Sequence, residues 1–230
     1  MTASDKKQLA FVLYQGLTPL DLIGPLQVLG AVPLIDPTFE IAVVAENRDA
    51  VDTDAVVGLR PSHTFDEVPA PHAVVVPGGG EPTLRACGHK PLVDYVAEAA
   101  ATADVVMSVC TGALVLASAG LLDGRPATTH WAYFDILELL GAQPVRARWV
   151  EDGKYLTTAG VSAGIDGGLH LAARLVGEDA AKLIQLGVEY DPEPPFGPID
   201  WDPAIVEAVR PLFRGPLDDV VAAHPYLVTS

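Results

Sequence analysis

The sequence has few of the residues that indicate a disulfide framework, a nucleic-acid partner or a membrane span. It contains two cysteines, too few for a network of disulfides. Lysine and arginine total 14 against 30 aspartates and glutamates, which gives a net charge of −16 at pH 7. Because a surface this anionic repels phosphate backbones and acidic lipid headgroups, we expect neither a nucleic acid nor a membrane as a partner.

Long apolar runs are also missing. No stretch approaches the roughly 20 residues that a helix needs to span a bilayer. The N-terminus contains two lysines but continues directly into a short strand-like run without a cleavage-site pattern, so we expect no signal peptide. The expected location is therefore the cytoplasm.

Hydrophobic residues, by contrast, make up 50% of the 230 residues. Such a chain can bury a sizeable core, and its length suits one domain better than two. We find no internal repeat and no linker long enough to divide it, so we predict a single domain over residues 1–230. Within it, residues 191–230 are predicted to form a proline-rich strap and a C-terminal helical extension, because Asp191–Pro203 holds five of the 20 prolines.

Short apolar runs alternate along the chain with longer segments of helical period. The predicted strands are Leu9–Tyr14, Ile41–Ala45, one or two within Val51–Leu59, Ala73–Val76, Val105–Val109, and the hairpin pair Val145–Val150 and Tyr155–Thr158. The predicted helices are Leu20–Val32, Pro82–Thr102, Thr111–Ala119, Trp131–Leu140, Ser162–Val176, Glu178–Glu189 and an interrupted Ala204–Ala223. This alternation predicts an α/β fold with a mostly parallel central sheet, helices on both faces, and functional residues at the carboxyl ends of the strands.

Cys110 lies between the predicted strand Val105–Val109 and a predicted short helix, with Gly112 two residues further on. This arrangement is typical of a nucleophile elbow, a sharp turn after a central strand that exposes a side chain above the sheet. The N–H groups at the start of the helix would favour the thiolate and, with it, preferential oxidation of this cysteine. A buried structural cysteine at the end of a core strand explains the local sequence equally well.

A glycine triplet, Gly78-Gly79-Gly80, follows Pro77 at the end of the predicted strand Ala73–Val76. Glycines let the backbone approach a ligand and point N–H groups at it, as an oxyanion hole requires. The alternative is a tight turn that needs positive φ angles, and a glycine triplet on its own favours that alternative. The Lys-Ser/Thr that completes a phosphate-binding P-loop is missing.

Asp21 lies among leucine, isoleucine and proline where the first predicted strand passes into the first helix. A carboxylate enclosed by apolar side chains tends towards a raised pKa, which a proton shuttle needs. The alternative is an aspartate that caps the helix, a common use of this residue at a helix start.

Three further features are weaker candidates. Cys87 lies among polar residues, which indicates a thiol at the surface or at a helix end. His130 could act as the base of a Cys-His pair, but capping of the helix that starts at Trp131 is the favoured role. The small residues of Ala159–Gly168 are interpreted as a helix start that packs closely beside the elbow, not as a dinucleotide fingerprint.

Taken together, these segments resemble the ThiJ/PfpI superfamily, which shares its flavodoxin-like architecture with class I glutamine amidotransferase domains. Within the superfamily they are most similar to the isocyanide (isonitrile) hydratases. The segments that carry the resemblance are Leu20–Pro25, Val76–Gly80, Ser108–Gly112, Ala127–Tyr133, Thr158–Asp166 and Glu189–Phe196.

The resemblance implies a carbon–oxygen lyase that hydrates a small uncharged isocyanide to an N-substituted formamide, through a thioimidate and without a metal or organic cofactor. It implies Cys110 as nucleophile, Asp21 as acid and base, and Thr111 in support. Gly79, Gly80 and Val161 are the implied oxyanion and substrate-binding positions. Protease-like and glyoxalase-like members have a histidine where this chain has Thr111 and a glutamate where it has Asp21, so peptide hydrolysis and dicarbonyl chemistry are not expected.

The resemblance also implies a homodimer, and it leaves a second function open. Some AraC-type transcriptional regulators carry a domain of this kind with a similar Thr-Thr-His-Trp segment, followed by a helix-turn-helix module. Nothing after Pro203 is basic enough or long enough for two such motifs. A stand-alone ligand-binding or redox-sensor protein, with Cys110 as its sensitive thiol, therefore remains the alternative.

Overall fold

The centre of the protein is a seven-stranded sheet in the order β10-β11-β7-β6-β1-β2-β5. The structure is a computed structural model, and it describes residues 6–228. The strands are β1 (Lys7–Val12), β2 (Phe39–Ala45), β3 (Val51–Asp52), β4 (Gly58–Leu59), β5 (His63–Thr64), β6 (Ala73–Val76), β7 (Val105–Val109), β8 (Pro126–Ala127), β9 (Gln143–Pro144), β10 (Trp149–Asp152) and β11 (Tyr155–Thr158). Neighbours in the central sheet run parallel except β10 and β11, which form an antiparallel hairpin.

Helices surround the sheet, and the prediction of a mostly parallel α/β fold is confirmed. They are α1 (Pro19–Leu29), α2 (Val32–Ile35), α3 (Glu81–Cys87), α4 (Lys90–Thr102), α5 (Gly112–Ser118), α6 (Phe134–Leu139), α7 (Ala163–Val176), α8 (Glu178–Gly187), α9 (Pro203–Val209) and α10 (Leu217–Ala223). One group of helices packs α1 and α8 against α7, and another packs α3, α4, α5 and α6 together.

The middle strands explain why the sheet forms where it does. Every residue of β6 and β7 is buried, as is typical of parallel strands covered on both faces. From β1 the chain first adds β2 on one side and later β6 on the other, so the strand order reverses beside β1. Sheets of this kind bind ligands at such a reversal, at the carboxyl ends of the strands. The ends of β1, β6 and β7 therefore position the site.

The predicted helix Pro82–Thr102 is wrong as one element, because α3 ends at Cys87 and α4 begins at Lys90. The cause is Pro91. A proline inside a helix lacks an N–H donor, and its ring clashes with the carbonyl four residues back, here that of Cys87. The helix must therefore break in the turn before Pro91.

Other boundaries also differ from the predictions. The first hairpin strand is Trp149–Asp152 instead of Val145–Val150, because the turn needs just two residues, with Gly153 at φ +62°. The predicted helix Leu20–Val32 ends at Leu29, and the short α2 follows. The predicted helix from Trp131 begins as one 3-10 turn before α6. The predicted strands in Val51–Leu59 are confirmed as β3 and β4, which pair with each other.

Two expectations concern the membrane and the chain start. No helix within residues 6–228 is long and apolar enough to cross a membrane. The first five residues, on which part of the signal-peptide expectation falls, lie outside the described residues. The cytoplasmic location stays a prediction.

Candidate active site

Cys110 follows β7 directly, in the sharp turn expected of a nucleophile elbow. Its φ is +57°, in a region that residues other than glycine rarely adopt. Backbone partners hold this conformation: its N–H donates to the carbonyls of Thr158 and Ala159 at 3.2 and 3.0 Å, and its own carbonyl accepts the Thr129 hydroxyl at 2.9 Å. Backbone strain fixed by its surroundings is typical of functional sites.

The elbow lies against the glycine triplet that follows β6. A Cβ atom on Gly78 would lie 2.5 Å from the Thr111 nitrogen and 2.8 Å from Oδ2 of Asp21. A Cβ on Gly112 would clash with the carbonyl oxygen of Val76. Glycine is therefore required at these two positions because the ends of β6 and β7 and the first turn of α1 meet there.

Asp21 lies in the first turn of α1 and is fully buried. Its Oδ2 accepts the Gly78 N–H at 3.0 Å, and the carboxylate also accepts a hydrogen bond from the Cys110 thiol. Burial raises the pKa of Asp21 to about 7, although the hydrogen bonds from Cys110 and Gly78 act in the opposite direction. The capping alternative does not apply, because Thr18 is the N-cap residue and Asp21 bonds across to another element.

The prediction of a resting thiolate at Cys110 is wrong. Burial and the neighbouring charge of Asp21 raise the pKa of the Cys110 thiol well above its ordinary value. Two backbone N–H groups, of Val161 and Thr111, point at the sulfur and act in the opposite direction without overcoming the burial. Preferential oxidation of Cys110 was expected from this thiolate, and the raised pKa removes that argument for it.

The N–H groups of Gly79 and Gly80 do not point at a substrate position. Both donate to Oγ1 of Thr111, at 3.0 and 3.2 Å. The Gly78 N–H donates to Asp21. The glycine triplet thus holds the two side chains next to Cys110, and the donors that face the Cys110 sulfur are the N–H groups of Thr111 and Val161.

His130 has the structural role that the sequence favoured. Its Nδ1 accepts the Ala132 N–H at 3.3 Å and so caps the 3-10 turn that starts at Trp131. Burial lowers the pKa of His130 to about 4, so the ring is neutral at pH 7. A Cβ on Gly160 would lie 2.9 Å from Cδ2 of this ring, which places the imidazole against the residue that precedes Val161.

Cys87 is the last residue of α3, as a helix-end thiol should be, but it is not at the surface. The side chain is buried, and burial raises its pKa to about 12. The polar neighbours in sequence misled the prediction: Arg85 is on the exposed side of α3, and His89 and Lys90 follow the end of the helix and are exposed, whereas Cys87 is buried. Cys87 is therefore no part of the elbow.

The small residues after Ala159 pack closely beside the elbow, as predicted. A Cβ on Gly164 would lie 2.9 Å from a methyl carbon of Val109, the residue before Cys110. A Cβ on Gly168 would lie 3.2 Å from Cα of Pro25 in α1. These glycines let α7 approach both β7 and α1, and so fix Asp21 and Cys110 relative to each other.

Sequence reasoning missed two buried hydroxyl groups next to the site, those of Tyr14 and Thr83. Tyr14 continues the line of β1, and Thr83 lies in the first turn of α3. Their hydroxyl oxygens are 2.9 Å apart, and that of Thr83 is 2.8 Å from Oγ1 of Thr111. Nothing in the sequence signals this contact, because the three residues are separated by 69 and 28 positions.

No group of three or more histidine, cysteine, aspartate or glutamate side chains within residues 6–228 is arranged to hold a metal ion. The site brings together Cys110, Asp21 and the backbone donors around them. Such a pair can form a covalent bond through sulfur and move a proton through the carboxyl group.

The fold and the site define a class of protein: an α/β protein with a strained cysteine at the end of a central parallel strand and a buried carboxyl group beside it. The chain belongs to the DJ-1/PfpI family, whose model matches residues 7–174. It is similar to the isonitrile hydratase of Pseudomonas putida, with 42% identity over 208 residues that cover 88% of each chain.

Two further similarities concern a solved structure and a transcriptional regulator. A ThiJ/PfpI family protein from Pseudomonas syringae has a similar structure, with a TM-score of 0.84 and 34% identity, over 97% of this chain and 90% of that one. The HTH-type transcriptional regulator CdhR of Pseudomonas aeruginosa is 36% identical over 141 residues, which are 60% of this chain and 39% of the regulator.

Proposed function

We propose that this protein hydrates an organic isocyanide to the N-substituted formamide, with Cys110 as nucleophile and Asp21 as acid and base. The observation that carries the proposal is the hydrogen bond between the strained Cys110 thiol and the buried Asp21 carboxylate. The similarity to a hydratase of isonitriles supports it, since the match covers 88% of the chain.

At the start of the first half-reaction, the Cys110 thiol and the Asp21 carboxylate share one proton. Asp21 takes the thiol proton, and the Cys110 sulfur forms a bond to the terminal carbon of R–N≡C. The same carbon receives the proton from Asp21, which leaves a neutral thioimidate, R–N=CH–S–Cys110. The Thr111 and Val161 N–H groups, which point at the sulfur, stabilise its negative charge before attack.

In the second half-reaction Asp21 acts first as a base. Its carboxylate takes a proton from water while the water oxygen bonds to the thioimidate carbon, and the nitrogen receives that proton. The carbon–sulfur bond then breaks, and the hydroxyl proton returns to the Cys110–Asp21 pair. The product is R–NH–CHO, and the site is restored without any other reactant.

The direct test is to incubate the purified protein with a simple alkyl isocyanide and follow the formamide proton by NMR. We expect formamide to accumulate catalytically, in large molar excess over protein. Formation at the rate seen in buffer would contradict the proposal.

A ligand-binding or redox-sensor protein without catalysis is the second candidate. The similarity to a transcriptional regulator over 60% of this chain favours it. The two functions differ in what they require of Asp21, because a sensor has no need of a group that both gives and takes a proton in each cycle. Absence of isocyanide turnover, together with saturable binding of a small ligand, would support the sensor.

The rate should depend on pH through the shared proton. Below the pKa of Asp21, about 7, both members of the pair are protonated and no base is available to take the thiol proton. We therefore expect kcat/KM to fall about tenfold for each pH unit below this value and to reach a plateau above it. Steady-state rates from pH 5 to 9 test this, and a rate that rises towards low pH would contradict it.

We also propose a homodimer. The strap residues Phe196, Ile199 and Trp201 are 97, 67 and 51% exposed, so the described part of the chain does not cover them. Light scattering at micromolar concentration should give twice the chain mass of 24.1 kDa, and a Phe196→Ser, Trp201→Ser variant should shift towards the single mass. A mass of 24.1 kDa for the unaltered protein would rule the dimer out.

A further inference from the structure

We propose that Tyr14 and Thr83 are positioning residues for the Cys110–Asp21 pair and act on it through Thr111. The inference rests on the proposed function for its kinetic consequences, but the hydrogen bonds that carry it are independent of the substrate. Three hydroxyl groups form a continuous chain: Tyr14 to Thr83 at 2.9 Å, and Thr83 to Thr111 at 2.8 Å.

The direction of every hydrogen bond in this chain can be deduced. The Tyr14 hydroxyl donates its hydrogen to the carbonyl of Pro77 at 2.9 Å, so its oxygen must accept from Thr83. Thr83 has then used its hydrogen, so its oxygen must accept from Thr111. The Thr111 oxygen is left as an acceptor, and it receives the N–H groups of the glycine triplet.

This order assigns a specific role to the Thr111 hydroxyl. Its hydrogen is committed to Thr83, so it does not supply a proton to the reaction. Its oxygen holds Gly79 and Gly80, and the adjacent Gly78 N–H is thereby aimed at Oδ2 of Asp21. The Thr111 main-chain N–H points at the Cys110 sulfur. Thr111 therefore contacts Cys110 directly and supports Asp21 through the glycine triplet.

Because the three hydroxyl groups are buried, each of them depends on its hydrogen-bond partner within the protein. Thr83 and Thr111 are fully buried, and Tyr14 is 8% exposed. A buried hydroxyl that loses its partner cannot be compensated by bulk water, so the remaining groups must rearrange. Without the Thr83 hydroxyl, the Thr111 hydrogen has no acceptor in its present orientation. Rotation of Thr111 would then withdraw the acceptor from the glycine triplet.

The consequence reaches Asp21 through Gly78. The Gly78 N–H stabilises the ionised carboxylate, so loosening it raises the pKa of Asp21 further. The first proton of the Cys110–Asp21 pair would then leave at higher pH. This shift separates a positioning role from a structural one, since a loss of stability alone does not move the titration of the pair.

The test uses Thr83→Val, which removes the hydroxyl with little change of shape, and Tyr14→Phe, which removes the next one. We expect kcat to fall about tenfold or more in Thr83→Val with KM little changed, and the rise of kcat/KM near pH 7 to move up by about half a unit or more. Tyr14→Phe should change both in the same direction by less. Thr83→Ser keeps the hydroxyl and should recover most of the rate and the original profile.

Tyr95→Phe is the matched control. Tyr95 is also a buried tyrosine whose hydroxyl donates to a main-chain carbonyl, that of Val68 at 3.0 Å, but it lies outside the chain of hydroxyls. Tyr95→Phe should lower the Tm to an extent comparable with Tyr14→Phe and leave the pH profile unchanged.

A second measurement keeps the inference separate from the proposed function. The pH dependence of Cys110 alkylation by iodoacetamide, read on its own peptide by mass spectrometry, reports the pair without any isocyanide. Its midpoint should also move up in Thr83→Val and Tyr14→Phe, even if the protein hydrates no isocyanide. Unchanged midpoints and unchanged pH profiles in both variants would overturn the inference.

Discussion

Replacing Cys110 with alanine should reduce isocyanide hydration to the rate in buffer. The Cys110 sulfur forms the bond that activates the isocyanide carbon, and no other thiol lies in the elbow. The change is from one small side chain to another at a buried position, so the fold should be retained. Formamide production and circular dichroism on the same sample measure the two effects.

Cys87→Ala is the matched control for this prediction. Cys87 and Cys110 are both buried free cysteines, so the two variants lose similar packing. Cys87→Ala should keep most of the rate. Equal loss of activity in both variants would indicate damage to the fold, and turnover by the Cys110→Ala variant would remove the thioimidate from the mechanism.

Asp21→Asn should lower kcat at least about 10²-fold, the contribution that general acid–base catalysis typically makes. Asparagine keeps the size and the acceptor for the Gly78 N–H but cannot give and take a proton. Steady-state kinetics at pH 8 test this. Asp21→Glu should retain part of the rate, because it keeps a carboxyl group. Near-normal turnover by the Asn variant would show that the proton comes from another group.

The same variant should gain stability at neutral pH. The pKa of Asp21 is raised from 3.8 to about 7 in the folded protein, so the native state keeps a proton that the unfolded chain has lost. The contribution of Asp21 to stability therefore falls as pH rises from about 4 to about 7, and the Asp21→Asn variant is free of this fall. The gain above pH 7 is at most about 4 kcal/mol, measured by urea unfolding at pH 5 and pH 8. An equal stability difference at both pH values would contradict the raised pKa.

The sequence by itself determined the order of strands and helices and the place of the site. Runs such as Ala73–Val76 and Val105–Val109 are apolar at every position, and parallel strands covered on both faces have this composition. Cys110 and the glycine triplet follow those runs, so a shared edge of the sheet brought them together. The local sequence also encodes the helix break before Pro91, although the helical period of apolar residues continues across it and predicted a single helix.

The tertiary structure alone decided the chemistry within that site. The sequence predicted a thiolate at Cys110 from the helix start, but burial and the Asp21 carboxylate outweigh two N–H donors. The family resemblance implied that Gly79 and Gly80 face a substrate, but Thr111 accepts a hydrogen bond from both N–H groups. A pKa and a hydrogen-bond partner depend on which atoms lie within about 3–4 Å, and here those atoms come from residues tens of positions apart.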